Sequence, residues 1–194
     1  MIDKKDITGI VLAGGKSSRM GTDKGFLMFD DKPFIQHSID ALKPLVSEII
    51  IVSDNNNYDV FGYKRVEDLI KNSGPVAGIY SGLKASKTIY NLILSCDIPL
   101  INSELLKTIL KEIDEKSEII QVESNNKTMP LITLYKTSCK TKFSKLLQQG
   151  EKRLQFAVNQ CEVKTITLNK HYEISTSNVN SKEEFKRLKN EYHH

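Results

Sequence analysis

An α/β fold, a three-layer sandwich built on a Rossmann-like and mostly parallel sheet, is predicted by three observations. Short β-rich apolar runs alternate with amphipathic helical stretches along the chain. Several of those runs are apolar at nearly every position, the pattern of strands buried on both faces. Polar or glycine-rich segments follow these runs, and in such folds ligands sit beyond the carboxyl ends of the strands.

The elements follow in order. Ile7 to Ala13 is an apolar run closed by Gly14 and Gly15, and reads as a buried strand. Pro33 suits the first turn of a helix, with Ile35, Ile39 and Leu42 at helical spacing behind it. Glu48 to Ser53 carries Ile49, Ile50, Ile51 and Val52, a second buried strand. Val76 to Ala85 reads as a helix after a Gly74–Pro75 turn, and Asn91 to Ser95 as a third strand ending at Cys96 and Asp97. Ser103 is placed to cap a helix that presents Leu105, Leu106, Ile109, Leu110 and Ile113 on one face. Glu118 to Glu123 and Leu131 to Tyr135 are further strands, 138–149 a helix that stops at Gly150, and Val163 to Leu168 a late strand. Ser181 with Glu184 three positions on forms a capping box for the last helix.

Composition limits the function classes. At 194 residues, 39% apolar and 27% charged, the chain suits one globular domain, with no repeat and no linker dividing it. No apolar run approaches the ~18 residues of a membrane span. Met1 to Asp6 lacks the basic start and apolar stretch of a secretion signal. Cys96, Cys139 and Cys161 are widely spaced, which argues against a zinc site or a disulfide framework. A cytoplasmic location is therefore expected. The net charge of +4 suits polyphosphate ligands and is too small to argue for nucleic acid. His193 and His194 are left out of the functional reading.

The segment Leu12-Ala-Gly-Gly-Lys-Ser-Ser-Arg-Met-Gly-Thr-Asp-Lys-Gly25 carries the most chemistry. Gly14, Gly15 and Gly21 let the backbone turn tightly and approach a ligand, and successive N–H groups in such a loop form an anion-binding concavity. Lys16, Arg19 and Lys24 add cationic groups suited to a triphosphate. The Walker pattern fails because Ile10 stands where its first glycine belongs, and the dinucleotide pattern GxGxxG is missing. A plain charged surface loop is the bland alternative, yet a structural turn is complete in about two or three residues.

This loop resembles the signature of the molybdenum cofactor guanylyltransferases, within the nucleotide-diphospho-sugar transferase-like superfamily. The resemblance continues in order through Glu67-Asp68, Gly74-Pro75-Val-Ala-Gly78, Cys96-Asp97-Ile-Pro99 and Asn178-Val-Asn180. It implies transfer of GMP from GTP to the terminal phosphate of molybdopterin, with Mg²⁺ as cofactor. It implies catalytic roles for Arg19, Lys24 and Asp97, with Asp97 as metal ligand. Nucleotide contacts are implied for Leu12, Ala13, Gly14, Gly15, Lys24, Ser53, Asp68, Gly74, Pro75, Gly78 and Asp97, and acceptor contacts for Arg153, Asn178 and Asn180. Residues 1–100 then form mainly the nucleotide-binding half of a single domain and 101–194 the acceptor-binding half. A labile cofactor also implies transient contact with other cofactor-biosynthesis or molybdoenzyme-maturation proteins.

Each assignment has a competitor. Asp97 also reads as an Asp opening a turn before Pro99, Asp68 as a loop Asp, and Asn178 and Asn180 as entry punctuation before Ser181. Ser53 stands where the family frequently has Asn, so the base contact from 53–57 stays open. His37 falls on a helix, His171 in a polar loop, and Cys96 reads as a small buried residue. Cytidylyl transfer to molybdopterin or a sugar-alcohol phosphate is the nearest rival. Its members resemble LAAGxSxRMG, with Ala at Gly14, and the molybdenum branch carries acidic residues at Asn178 and Asn180; both differences favour GTP. A non-catalytic nucleotide-binding regulator is disfavoured because Arg19, Lys24 and Asp97 are all kept.

Overall fold

The computed structural model describes residues 2–14 and 23–192. In chain order they form β1 (Ile7–Leu12), a two-stranded ribbon of β2 (Met28–Phe29) and β3 (Lys32–Pro33), α1 (Phe34–Leu42), β4 (Glu48–Val52), β5 (Lys64–Val66), α2 (Gly74–Ala85), β6 (Tyr90–Ser95) and α3 (Ser103–Lys111). There follow β7 (Ile119–Ser124), β8 (Lys127–Lys136), α4 (Cys139–Gln148), α5 (Leu154–Val158), β9 (Val163–Thr167) and α6 (Lys182–Tyr192). The main sheet has seven strands in the order β5-β4-β1-β6-β8-β7-β9. Every neighbouring pair is parallel except the two that include β8. Its direction is set by a tight hairpin at Asn125 and Asn126, both with positive φ (52° and 57°), the backbone form that matches strand twist.

Alternation along the central strands creates the two outer layers. Ile49 and Ile51 of β4, with Leu92 and Leu94 of β6, pack under α1 and α3 through Ile35, Ile39, Leu105 and Ile109. Ile50 and Val52, with Ile93, face α2 and α4 through Val76, Ile79, Phe143 and Leu147. Each fully buried aliphatic side chain here contributes about 1.5–3 kcal/mol, so the strands are fixed between two apolar layers. A third, smaller cluster joins Phe29, Phe34, Val179 and Leu188, docking α6 on the β2–β3 ribbon and the start of α1. No helix among the described residues is long and apolar enough to cross a membrane.

Four local expectations need correction. Pro33 is the N-cap of α1 rather than a first-turn residue. Gly74 and Pro75 open α2 instead of preceding it; Gly74 adopts φ +64°, which a residue with a Cβ takes up only with strain. Asn102, not Ser103, caps α3, its side chain accepting from Leu105 N–H at 3.0 Å, because the longer amide reaches the free donor. The strand read at Leu131 to Tyr135 runs from Lys127 to Lys136. The capping box stands as expected: Glu184 N–H donates to Ser181 Oγ at 3.1 Å and Ser181 N–H to the Glu184 carboxylate at 3.2 Å.

Candidate active site

A cleft of about 840 Å³ opens at the carboxyl ends of β1, β4 and β6, lined among others by Leu12, Ala13 and Gly14, Ser53, Asp68, and Gly74, Pro75 and Gly78. These come from four separate chain segments. Parallel pairing brings the strand ends together: Leu12 lies in register with Val52 on one side and Ser95 on the other. Ala13 N–H extends the ladder by donating to Val52 O at 2.9 Å, and Cys96 N–H donates to Leu12 O at 3.1 Å. The start of α2 forms one wall, and the amino end of a helix is a setting that favours an anion.

Beside this cleft the last loop cation meets the carboxylate beyond β6. Lys24 Nζ stands 3.4 Å from Asp97 Oδ2, and both side chains are largely buried, 18% and 16% exposed. The same ammonium donates to Asn180 Oδ1 at 2.6 Å, across 156 positions of sequence. Val179 N–H donates to Asp97 O at 2.9 Å, and Val179 itself is buried in the third core cluster. Packing of α6 therefore delivers Asn180 to Lys24 and braces the backbone of Asp97. Lys24, Asp97 and Asn180, far apart in sequence, form one constellation.

Asp23 precedes Lys24 and lines the cleft. Its carboxylate accepts from Gly25 N–H at 3.1 Å and from Asn55 Nδ2 at 2.9 Å. It also accepts from the Tyr58 hydroxyl. Asp23 thereby caps the 3₁₀ turn Lys24–Phe26. Tyr58 is fully buried, and its ring stacks on Phe26 at 4.6 Å between centroids. Burial foremost, then the neighbouring Cys96 and Asp23, hold the Tyr58 hydroxyl far above the usual phenol range, so it stays a donor. A Cβ on Gly25 would overlap that hydroxyl and stand 2.8 Å from Tyr58 Cε1, which is why glycine occupies the position.

Asp68 is in a different state. Its Oδ1 is buried without a hydrogen-bond partner. Burial foremost, with the charge of Asp54 adding to it and Lys71 opposing, pushes its carboxyl up to about 6. Its neighbours are engaged: Asp68 N–H donates to Asp54 Oδ1 at 3.1 Å, and Lys71 binds both Asp54 (2.6 Å) and Glu67 (3.0 Å). A buried acceptor left open costs stability unless something donates to it. Asp68 itself lines the cleft, where a turn of its carboxyl would offer the oxygen to N–H or O–H groups of a ligand.

The remaining expected positions are accounted for as follows. Arg19 and Gly15 lie outside the described residues. Asn178 is exposed. Arg153 is also exposed, paired with Glu151 at 2.6 Å and lying over Phe156. Its neighbour Lys152 donates to Asn72 O at 3.0 Å on the cleft rim. Ser53 is buried with Oγ accepting from Asn55 N–H at 3.1 Å, and the Asn55 amide is spent on Asp23 and Asn57 N–H. Cys96 is buried, and that burial raises its thiol well above the reactive range. His37 binds Phe29 O at 2.9 Å, a structural tie. Sequence reasoning missed Tyr58 and gave Asp23 no role. The aspartate's capping offset to Gly25 was a readable signal, whereas Tyr58 sits in an Asn-rich stretch that shows no pattern.

Among the described residues, no cluster of three or more His, Cys, Asp or Glu side chains forms a metal cage. Mg²⁺ is typically held by one or two carboxylates together with substrate phosphates and water. Asp97 fits as such a ligand; Asp23, with its three donors, does not.

Comparison with known proteins agrees with this fold. The profile of the MobA-like NTP transferase domain matches residues 9–163. A probable molybdenum cofactor guanylyltransferase of Flavobacterium johnsoniae is 35% identical over 182 residues, covering 94% of this chain and 96% of that one. A molybdenum cofactor guanylyltransferase of Vibrio parahaemolyticus is 30% identical over 164 residues, covering 83% and 84%. Among solved structures, molybdopterin-guanine dinucleotide biosynthesis protein A of Archaeoglobus fulgidus superposes with a TM-score of 0.81 at 20% identity, over 96% of this chain and 98% of that one. A 4-diphosphocytidyl-2C-methyl-D-erythritol synthase of Anaerococcus prevotii reaches 0.78 at 14% identity, over 100% and 98%. The two structures share the fold; at this identity they do not choose the nucleotide.

Proposed function

The chain belongs to the MobA-like NTP transferase family, and on that premise we propose that it transfers GMP from GTP to the terminal phosphate of molybdopterin, releasing pyrophosphate. One observation carries the reading: Lys24, Asp97 and Asn180 converge beside a cleft walled by the start of α2 and the ends of three parallel strands. The curated relatives named as guanylyltransferases, matched over most of their length, supply the choice of nucleotide and acceptor.

The chemistry is substitution at the α-phosphorus of GTP. A molybdopterin phosphate oxygen forms the new P–O bond as the bond to pyrophosphate breaks. The nucleophile is already anionic at neutral pH, so no strong base is required. What the protein must supply is alignment and relief of crowded negative charge. In this reading the amides after β1 and at the start of α2 hold the triphosphate. The Lys24 ammonium, now on Asp97 and Asn180, turns to the phosphate oxygens and the leaving pyrophosphate, with Arg19 assigned to the same charge. Asp68 accepts from the guanine or ribose. Asp97 is assigned to Mg²⁺, which when bound neutralises phosphate charge and polarises the reacting phosphoryl group. Arg153, Asn178 and Asn180 are assigned to the acceptor, so that residues 1–100 serve mainly the nucleotide and 101–194 mainly molybdopterin. A cytoplasmic setting and transient contact with proteins that supply or receive the cofactor complete the proposal.

The test is pyrophosphate release by the whole protein with molybdopterin, Mg²⁺ and each of the four nucleoside triphosphates in turn. GTP should be strongly preferred. A preference for CTP rejects guanylyl transfer while keeping the fold and the site.

A further inference from the structure

We propose that Tyr58 is a positioning residue that aims the Lys24 ammonium by fixing Asp23 and the turn behind it. The inference deepens the functional reading above and rests on the role given there to Lys24.

Tyr58 belongs to none of the motifs that carry the family resemblance, yet it is fully buried behind Asp23, which lines the cleft. Its ring packs in a three-ring cluster with Phe26 and Phe61, at 4.6 and 6.2 Å between centroids, and those two rings stand 5.9 Å from each other. This stack fixes where the hydroxyl stands, and the hydroxyl donates to Asp23 Oδ1. The same oxygen accepts from Gly25 N–H, and the other carboxylate oxygen accepts from Asn55 Nδ2. Asp23 is thus tied on one side to the segment after β4 and on the other to its own turn. The next residue, Lys24, sends its side chain the opposite way, to Asp97 beyond β6 and Asn180 before α6. Lysine has a long flexible stem, so the position of its ammonium depends on where its Cα is anchored. That anchor is the Asp23 cap, and Tyr58 supplies the one donor to it whose direction is set by the aromatic core. The close fit of Gly25 under the hydroxyl leaves the turn little room to slide. A misplacement of ~1 Å in a charge-stabilising group can cost up to ~10²-fold in rate. Loss of one of three donors should cost less.

Tyr58→Phe keeps the ring stack and removes only the hydroxyl. Expected is a fall in kcat of about tenfold, with KM for GTP changed less than about threefold, because the affected charge acts mainly on the leaving group. In a Lys24→Ala background the same substitution should cost less than about twofold, since nothing remains to be aimed. An equal loss in both backgrounds, or wild-type kcat in Tyr58→Phe, overturns the proposal. A second measurement needs no turnover: acetylation of the folded protein by an N-hydroxysuccinimide ester without substrate, followed by digestion and mass spectrometry of the peptide that carries Lys24. Release of the turn should change the Lys24 rate by about threefold or more, the scale expected when an ordered lysine is freed. An unchanged rate overturns the proposal. Wild-type protein that transfers no GMP, with Lys24 acetylation still responsive to Tyr58, rejects the guanylyltransferase reading and retains the positioning role.

Discussion

Asp23 and Asp68 line the same cleft in opposite states. Asp23 has every nearby donor it needs, from Gly25, Asn55 and Tyr58. Asp68 keeps a buried oxygen with no partner, and its burial is felt as a carboxyl raised to about 6. One carboxylate is spent on architecture, and the other is held ready at some cost to stability. Residue type and location in the cleft do not separate them; hydrogen-bond satisfaction does.

The largest expected effect lies next to the satisfied carboxylate. Lys24→Ala or Asp97→Ala should lower turnover by at least ~10²-fold with the circular dichroism spectrum unchanged, the scale of losing one well-placed electrostatic group. Near-wild-type turnover would remove that residue from the mechanism. Asp23→Ala should lower unfolding stability by about 2 kcal/mol or more, measured by urea titration, because it strands the buried Tyr58 hydroxyl and frees the turn. If stability does not move, Asp23 is not structural and the contrast with Asp68 fails.

Asp68→Asn should behave differently. GTP binding by calorimetry is expected to weaken by about tenfold or more, the loss of a hydrogen bond to a charged acceptor, while the fold is kept. Unaltered binding would mean that the open oxygen serves something other than the nucleotide. The smallest effect is on pH dependence. An unfolded Asp titrates near ~3.9, so at pH ~3 both states hold the proton and Asp68 carries no ionisation cost. As pH rises from ~3.9 to about 6, the unfolded chain gives up the proton while the folded protein still holds it, so stability falls across that window relative to a side chain that cannot ionise, and the loss is complete above about 6. Asp68→Asn should therefore raise the thermal midpoint at pH ~7 and leave it nearly unchanged at pH ~3. The reverse order would show that the carboxylate is favoured by the fold.

The fold was legible where burial leaves a compositional mark. The runs at Ile7, Ile49 and Asn91 are apolar because the sheet is covered on both faces, and they became β1, β4 and β6. Strand β5 reads Lys64-Arg65-Val66 and lies at the sheet edge, where one row of neighbours is missing and charge is tolerated, so no pattern announced it. The reversed direction of β8 left only the Asn125–Asn126 pair as a signal, and direction is a property of the turn rather than of strand composition. At the site, Gly14 and Asp97 lie just beyond β1 and β6, the strand ends where the motifs pointed, while 15–22 lie outside the described residues. Tyr58 was not legible, because its role depends on a stack with Phe26 and on Asp23 lying 35 positions away.

The bond from Asn180 to Lys24 has a consequence for the order in which the molecule is made. Leu12, Ser53, Asp68 and Asp97 all emerge from the ribosome well before residues 178–180, so a nascent chain can assemble most of its sheet while the ammonium still lacks its nearest oxygen. The arrangement of Lys24 is then completed by the segment synthesised just ahead of the final helix, and a chain stalled short of it would hold a cleft whose cation is tethered at one end only.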